Sequence, residues 1–281
     1  MMPAATNAEV KRRLAKVEED EGVRILIAIE SGSRAWGFAS PDSDFDVRFI
    51  YCRRESWYYS LDIEEKRDVL EYGITDEIDL NGWDLRKALR LLVRCNPTVV
   101  EWLQSPIEYL VRGRFRSAAR ELLARSYVPA SGIHHYRSMA KTNYRGYLRA
   151  ESVPLKKYFY VLRPLLAIRW IEQYKSPPPI ELQELLSGLH ERSDLLEDIS
   201  ALLERKKISA EMDVSAPLPR LNQYIESELD RLEGFSKDCT VNPNHLEAAN
   251  VLFRSLVRET WEPPHNNMVE RTGPGRAGRS P

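Results

Sequence analysis

The sequence predicts an α+β protein: a strand-containing half followed by an all-helical half. Three observations predict it. The apolar run Val23 to Ile29 reads as a buried strand. Phe45, Val47 and Phe49 alternate with Asp44 and Asp46, which describes a second strand with one apolar and one charged face. From about Ser131 onward, apolar residues recur at helical spacing instead. Such a pattern divides into residues 1–128, residues 129–262 and a tail, 263–281, whose prolines and glycines leave it nothing to bury. A ligand cleft is expected between the two halves.

Taken in order, Ala8 to Glu19 is an amphipathic helix, followed by the Val23 to Ile29 strand and a motif region that ends at Tyr51. A loop-rich insert carries Trp57, Tyr58 and Tyr59. Residues Asp76 to Trp83 form a short strand, because Ile78 and Leu80 alternate with Asp79, Asn81 and Trp83. Asp84 then N-caps a helix whose apolar positions are Leu85, Ala88, Leu89, Leu92 and Val93. Asn96-Pro97 ends that helix, and Val99 to Leu103 is a short helix, after which no strand is expected. Helices follow over His134 to Leu148, Leu155 to Tyr174, Ile180 to Leu186, Ser193 to Leu203, Pro219 to Leu232 and Leu246 to Val257. Pro177 to Pro179 is a rigid turn or linker, and Asn244 with Glu247 resembles a capping box for the last helix.

Asp44 and Asp46 carry the chemistry. Side by side on one strand face, their Cα atoms about 6.5–7 Å apart, they repel unless a cation lies between them. Carboxylates converging from there can chelate one Mg²⁺ or bridge two ions roughly 4 Å apart. The alternative is an edge strand exposing two acids to water. Just upstream lies Ser31-Gly32-Ser33, where glycine allows close approach of the backbone to a phosphate and serine adds a donor.

Gly32-Ser33, ten residues, then Asp44-x-Asp46 resembles the signature of the DNA polymerase β-like nucleotidyltransferase superfamily. The closer resemblance is to its RNA-repair-associated RlaP family. It runs through GSRAWGF, GWDLRKALRLL, NPTVVEWLQSP, HHYRSMAKTNYRGYL and LKKYFYVLRPLLAIRWI, roughly residues 25 to 175, and nothing after Gly188 matches. It implies a mixed-sheet catalytic domain followed by a helical domain that covers the nucleotide. It also implies a third acid on a later strand, placed at Asp79 with Glu77 as the other candidate. Two Mg²⁺ ions, or Mn²⁺ in their place, would be held by Asp44, Asp46 and Asp79. Gly32 and Ser33 would hold the β/γ-phosphates of a nucleoside triphosphate, with help from Arg34.

Lys156, Tyr160 and Arg163 fall at i, i+4 and i+7 of one helix. Periodicity alone makes them a solvated face beside Pro164; the resemblance makes them nucleotide ligands, two cations for phosphate and a ring for base or sugar. His134-His135 is not a metal pair, because adjacent helix positions point about 100° apart. Arg86, Lys87, Arg90 and Arg94 form one basic face and Arg112, Arg114 and Arg116 another; both read first as solvated, and as the acceptor surface if the acceptor is RNA.

Composition excludes several classes. The 281 residues carry a formal net charge of -1, so no global field draws the chain to nucleic acid or membrane. Cys52, Cys95 and Cys239 are odd in number and far apart, which fits neither a disulfide framework nor a zinc cluster. No membrane span or signal peptide is legible, and the cytoplasm is the expected compartment. The expected activity is transfer of a nucleoside monophosphate to a hydroxyl, on an RNA end or, alternatively, on a protein. A catalytically silent nucleotide-binding protein is the third option.

Overall fold

The computed structural model describes residues 4–189, 193–208, 214–235 and 242–262, so Cys239 and the tail after Glu262 lie outside the described residues. Helix α1 (Ala4–Glu21) leads into strand β1 (Arg24–Glu30), the single turn α2 (Gly32–Ala35) and strand β2 (Phe45–Cys52). Then come α3 (Glu55–Tyr58), β3 (Val69–Glu71), β4 (Ile78–Asp84), α4 (Leu85–Leu92), α5 (Pro97–Gln104), β5 (Glu108–Val111) and α6 (Phe115–Ser126). The rest comprises α7 (Pro129–Tyr147), β6 (Val153–Pro154), α8 (Leu155–Tyr174), α9 (Leu182–Ser187), α10 (Ser193–Ile208), β7 (Val214–Ser215), α11 (Pro219–Arg231) and α12 (Pro243–Trp261).

The five-stranded sheet runs β3-β4-β2-β1-β5. It is mixed: β2 and β4 are parallel, and every other pairing is antiparallel. Alternation along β2 sends Phe45, Val47, Phe49 and Tyr51 to one face, where Val10, Leu14 and Val17 of α1 cover them. Asp46, Arg48, Ile50 and Cys52 point to the other face. There Ile50 and Cys52 are buried with side chains of α4, α5, α6 and α12, whereas Asp46 and Arg48 remain half-buried. The acid end of β2 therefore lies beyond the cover that closes its other end.

The helical part is organised around α8, whose residues from Val161 to Ile168 are all buried. Its core takes in α7, α9, α10 and α11, together with Phe38 from the loop after α2. Helix α12 turns back to the sheet side, burying Ala249, Leu256 and Val257 with α4 and α6. A helix inside 129–262 thus packs on the first half of the chain.

Several expectations need correction. Strands continue past Leu103: β5 pairs with β1 at the sheet margin, a four-residue edge too short to show a period. The last helix is capped not by Asn244 but by Asn242, whose side chain accepts from the Asn244 N–H at 2.9 Å, with Pro243 in the first turn. Asn96 likewise starts α5 as well as ending the preceding segment, accepting from Thr98 N at 3.0 Å.

Asp84 caps α4, accepting from Arg86 N at 2.8 Å, and also receives the Tyr58 hydroxyl at 2.9 Å. Burial raises its carboxyl from 3.8 to about 6. Because ionisation is harder in the folded state, its contribution to stability is complete below about pH 4 and is lost as pH rises through about 6. Asp84→Asn keeps an acceptor for the cap and removes the charge. Relative to wild type, the variant should gain up to about 3 kcal/mol between pH 4 and pH 7, read from urea unfolding at both values.

Candidate active site

The site begins at the end of β1. Glu30, which ends β1 after the apolar run Ile25 to Ile29, is fully buried and accepts from the Asp46 backbone N–H at 2.9 Å and from the Tyr109 hydroxyl. Desolvation, the largest influence, raises its carboxyl to about 7. Ser31 N donates to the Asp46 carbonyl at 2.8 Å, and the chain then turns sharply at Gly32, which has φ +60°.

Only glycine fits that turn. A Cβ built on Gly32 would stand 2.0 Å from Asp46 Oδ2, so the second acid of D-x-D packs directly against the backbone of the Gly-Ser turn. Gly32→Ala meets both the clash and the positive φ. It should displace the Asp46 carboxylate and cost roughly 1–3 kcal/mol in stability, with loss of any nucleotide affinity, measured by thermal unfolding and nucleotide titration.

Parallel pairing brings the third acid in. Asp46 and Asp79 are register partners on β2 and β4. Their side chains share one guanidinium, with Arg48 Nη2 lying 2.9 Å from Asp46 Oδ1 and 2.7 Å from Asp79 Oδ2. Glu77 does not belong to the strand. It sits at φ 62° in the preceding turn, and its carbonyl receives Phe45 N at 2.7 Å. Asp44 is the residue just before β2, half-buried, in a loop tied down from three directions. Arg34 donates to the carbonyls of Ser43 and Asp44 and lies 3.9 Å above the Phe45 ring, so in this structure it holds the Asp44 loop. Ser40 and Ser43 bond each other, and Lys206, 1% exposed and borne on α10, donates to Ser40 Oγ at 2.7 Å. That contact gives the region after Gly188 a link to the site.

Asp46 and Asp79 supply hard oxygen donors of the kind Mg²⁺ takes, and Asp44 stands two residues before Asp46 in the loop that enters β2. Among the described residues, however, no three His, Cys, Asp or Glu side chains are grouped closely enough to hold an ion as they stand. The charge on the acid pair is met by Arg48.

The helical stripe separates into two environments. Lys156 and Tyr160 are half-buried, and Tyr160 meets the Trp36 ring edge-on at 5.7 Å. Arg163 is 2% exposed and paired with Glu101 at 2.8 Å, and it also donates to the Ile180 carbonyl. Trp36 Nε1 and the Tyr136 hydroxyl donate to the same Glu101 carboxylate, at 3.2 and 3.0 Å. Phe38 stacks on Phe159 at 4.7 Å. Thus Gly32 reaches the acids while Trp36 and Phe38 fasten the same segment to α8.

The basic clusters are partly committed: Arg86 to Glu64, Lys87 to Asp68, Arg112 to Glu18, Arg114 to Glu259 and Arg116 to Glu108. His134 and His135 meet edge to face at 5.8 Å. Sequence reasoning missed Glu30, Arg48, Glu101 and Lys206. The first two had a signal, an acid closing an apolar run and a cation continuing the alternation of Asp44 and Asp46.

The chain is 41% identical over 250 residues to the uncharacterized protein YcgL of Bacillus subtilis (strain 168), covering 89% of this chain and 95% of that one. A solved structure of a nucleotidyltransferase-like protein from Exiguobacterium sibiricum 255-15 aligns with 89% of the chain and 75% of its own length. That alignment has 12% identity and a TM-score of 0.28, too low to bear on fold or chemistry. Residues 6–255 match the RNA repair pathway DNA polymerase beta family, RlaP, and the chain belongs to it.

Proposed function

We propose that the protein is a metal-dependent nucleotidyltransferase. It moves a nucleoside monophosphate from a nucleoside triphosphate to a hydroxyl acceptor, favoured here as an RNA end, in the cytoplasm. The observation that carries this reading is the register pairing of Asp46 with Asp79 against the Gly32 turn. Packing alone gives no reason to set two carboxylates side by side on neighbouring strands.

In the proposed reaction the acceptor oxygen bonds to the α-phosphorus, the bond to the β-phosphate oxygen breaks, and pyrophosphate leaves. Asp44, Asp46 and Asp79 would hold two Mg²⁺ ions, which when bound supply charge neutralisation for the triphosphate. Gly32 and Ser33 present backbone N–H groups and a hydroxyl to its terminal phosphates. Asp79, the register partner of Asp46, would bind the ion that lowers the pKa of the incoming hydroxyl or take its proton. Arg34 keeps the Asp44 loop in position, Lys156 meets phosphate, and Tyr160 offers a ring to the base or sugar. Arg163 acts from the core by holding Trp36 and α8 together.

Incubation with each labelled triphosphate, Mg²⁺ and either RNA ends or candidate proteins tests the reading. Label on RNA with pyrophosphate release supports it. Label on protein instead makes this a protein-modifying enzyme, and binding without pyrophosphate release makes it a silent nucleotide-binding protein.

A further inference from the structure

Arg48 occupies the place where the acid pair needs positive charge. Its Nη2 bonds to Asp46 Oδ1 and Asp79 Oδ2, and its Nη1 donates to the carbonyls of Asp79 and Val47 at 3.0 and 3.1 Å. The other oxygen of Asp46, Oδ2, faces the Gly32 backbone. An ion that bridges the pair through Asp46 Oδ1 and Asp79 Oδ2 therefore competes for the two oxygens that Arg48 now holds. A guanidinium and a divalent cation cannot share them, because their charges would repel at a separation of only about 4 Å. The Arg48 side chain is 18% exposed.

We propose that Arg48 is the resident counter-cation of the acid pair, displaced when a divalent ion binds, and that it thereby sets the ion concentration at which the site fills. The proposal rests on the metal-binding reading above. Without an ion, Arg48 cancels the repulsion between Asp46 and Asp79 and keeps the β2–β4 register intact. With an ion, the released guanidinium is a planar fork suited to phosphate oxygens, beside the turn assigned to them.

The test is a Mn²⁺ titration of the full chain without nucleotide, followed by electron paramagnetic resonance, on wild type, Arg48→Met and Arg48→Lys. Arg48→Met should bind Mn²⁺ roughly tenfold more tightly or better, since the competing charge is gone, while Arg48→Lys should stay near wild type. If Arg48→Met is unfolded without metal, Mn²⁺ should restore its circular dichroism; failure to do so overturns the proposal. Equal or weaker Mn²⁺ binding by a folded Arg48→Met overturns the role of Arg48 and leaves the metal site standing. Absence of Mn²⁺ binding in all three proteins overturns the metal reading along with it.

Discussion

Asp46→Asn should lower kcat/KM for nucleotidyl transfer by at least about 10³-fold, the equivalent of about 4 kcal/mol of lost transition-state stabilisation. The substitution preserves shape where shape is most constrained, because the side chain lies against Gly32 with no room to spare. It removes one charge from the proposed ion site and leaves Arg48 its partner Asp79, 2.7 Å away. The fold should therefore survive: the melting curve of Asp46→Asn should lie close to that of wild type while turnover of labelled triphosphate disappears. Transfer at the wild-type rate would show that the acid pair does not carry the reaction.

The second large effect is on stability. Glu101→Ala should cost about 3–5 kcal/mol, because it strands the Arg163 guanidinium, 2% exposed, without its counter-charge. It also leaves Trp36 Nε1 and the Tyr136 hydroxyl without the acceptor each now has in Glu101. Against a typical total of about 5–15 kcal/mol, that is enough to unfold much of the population near body temperature. The double variant Glu101→Leu, Arg163→Met removes both charges and should be distinctly less destabilised than Glu101→Ala in urea. A loss under about 1 kcal/mol for Glu101→Ala would mean the buried pair does not hold the GSRAWGF segment to α8.

The α+β class and the family were legible because they rest on local patterns: alternation in β2, a Gly-Ser turn before it, and helical period after Ser131. The neighbourhood of Asp79 could be approached for the same reason, since Ile78 and Leu80 alternate around it. What escaped depends on pairing between distant segments. Strand β5 is four residues at an edge, and its partner β1 lies some eighty residues earlier in the chain. Arg163 looked like part of a polar stripe, yet the middle of α8, Val161 to Ile168, is buried all round, so position along a helix did not predict exposure. Glu101 sits in a short apolar stretch where a lone acid suggests water rather than a three-donor core. Burial of a charge is settled by partners that sequence does not place.

Seven consecutive residue pairs, from Phe45 with Ile78 to Tyr51 with Asp84, lock β2 to β4. Slipping either strand by one residue would turn Phe45 or Val47 outward and swing Asp46 into the hydrocarbon interior. Correct burial of the greasy face and correct alignment of the two carboxylates are consequently one condition. A single insertion or deletion inside either strand would break both at once.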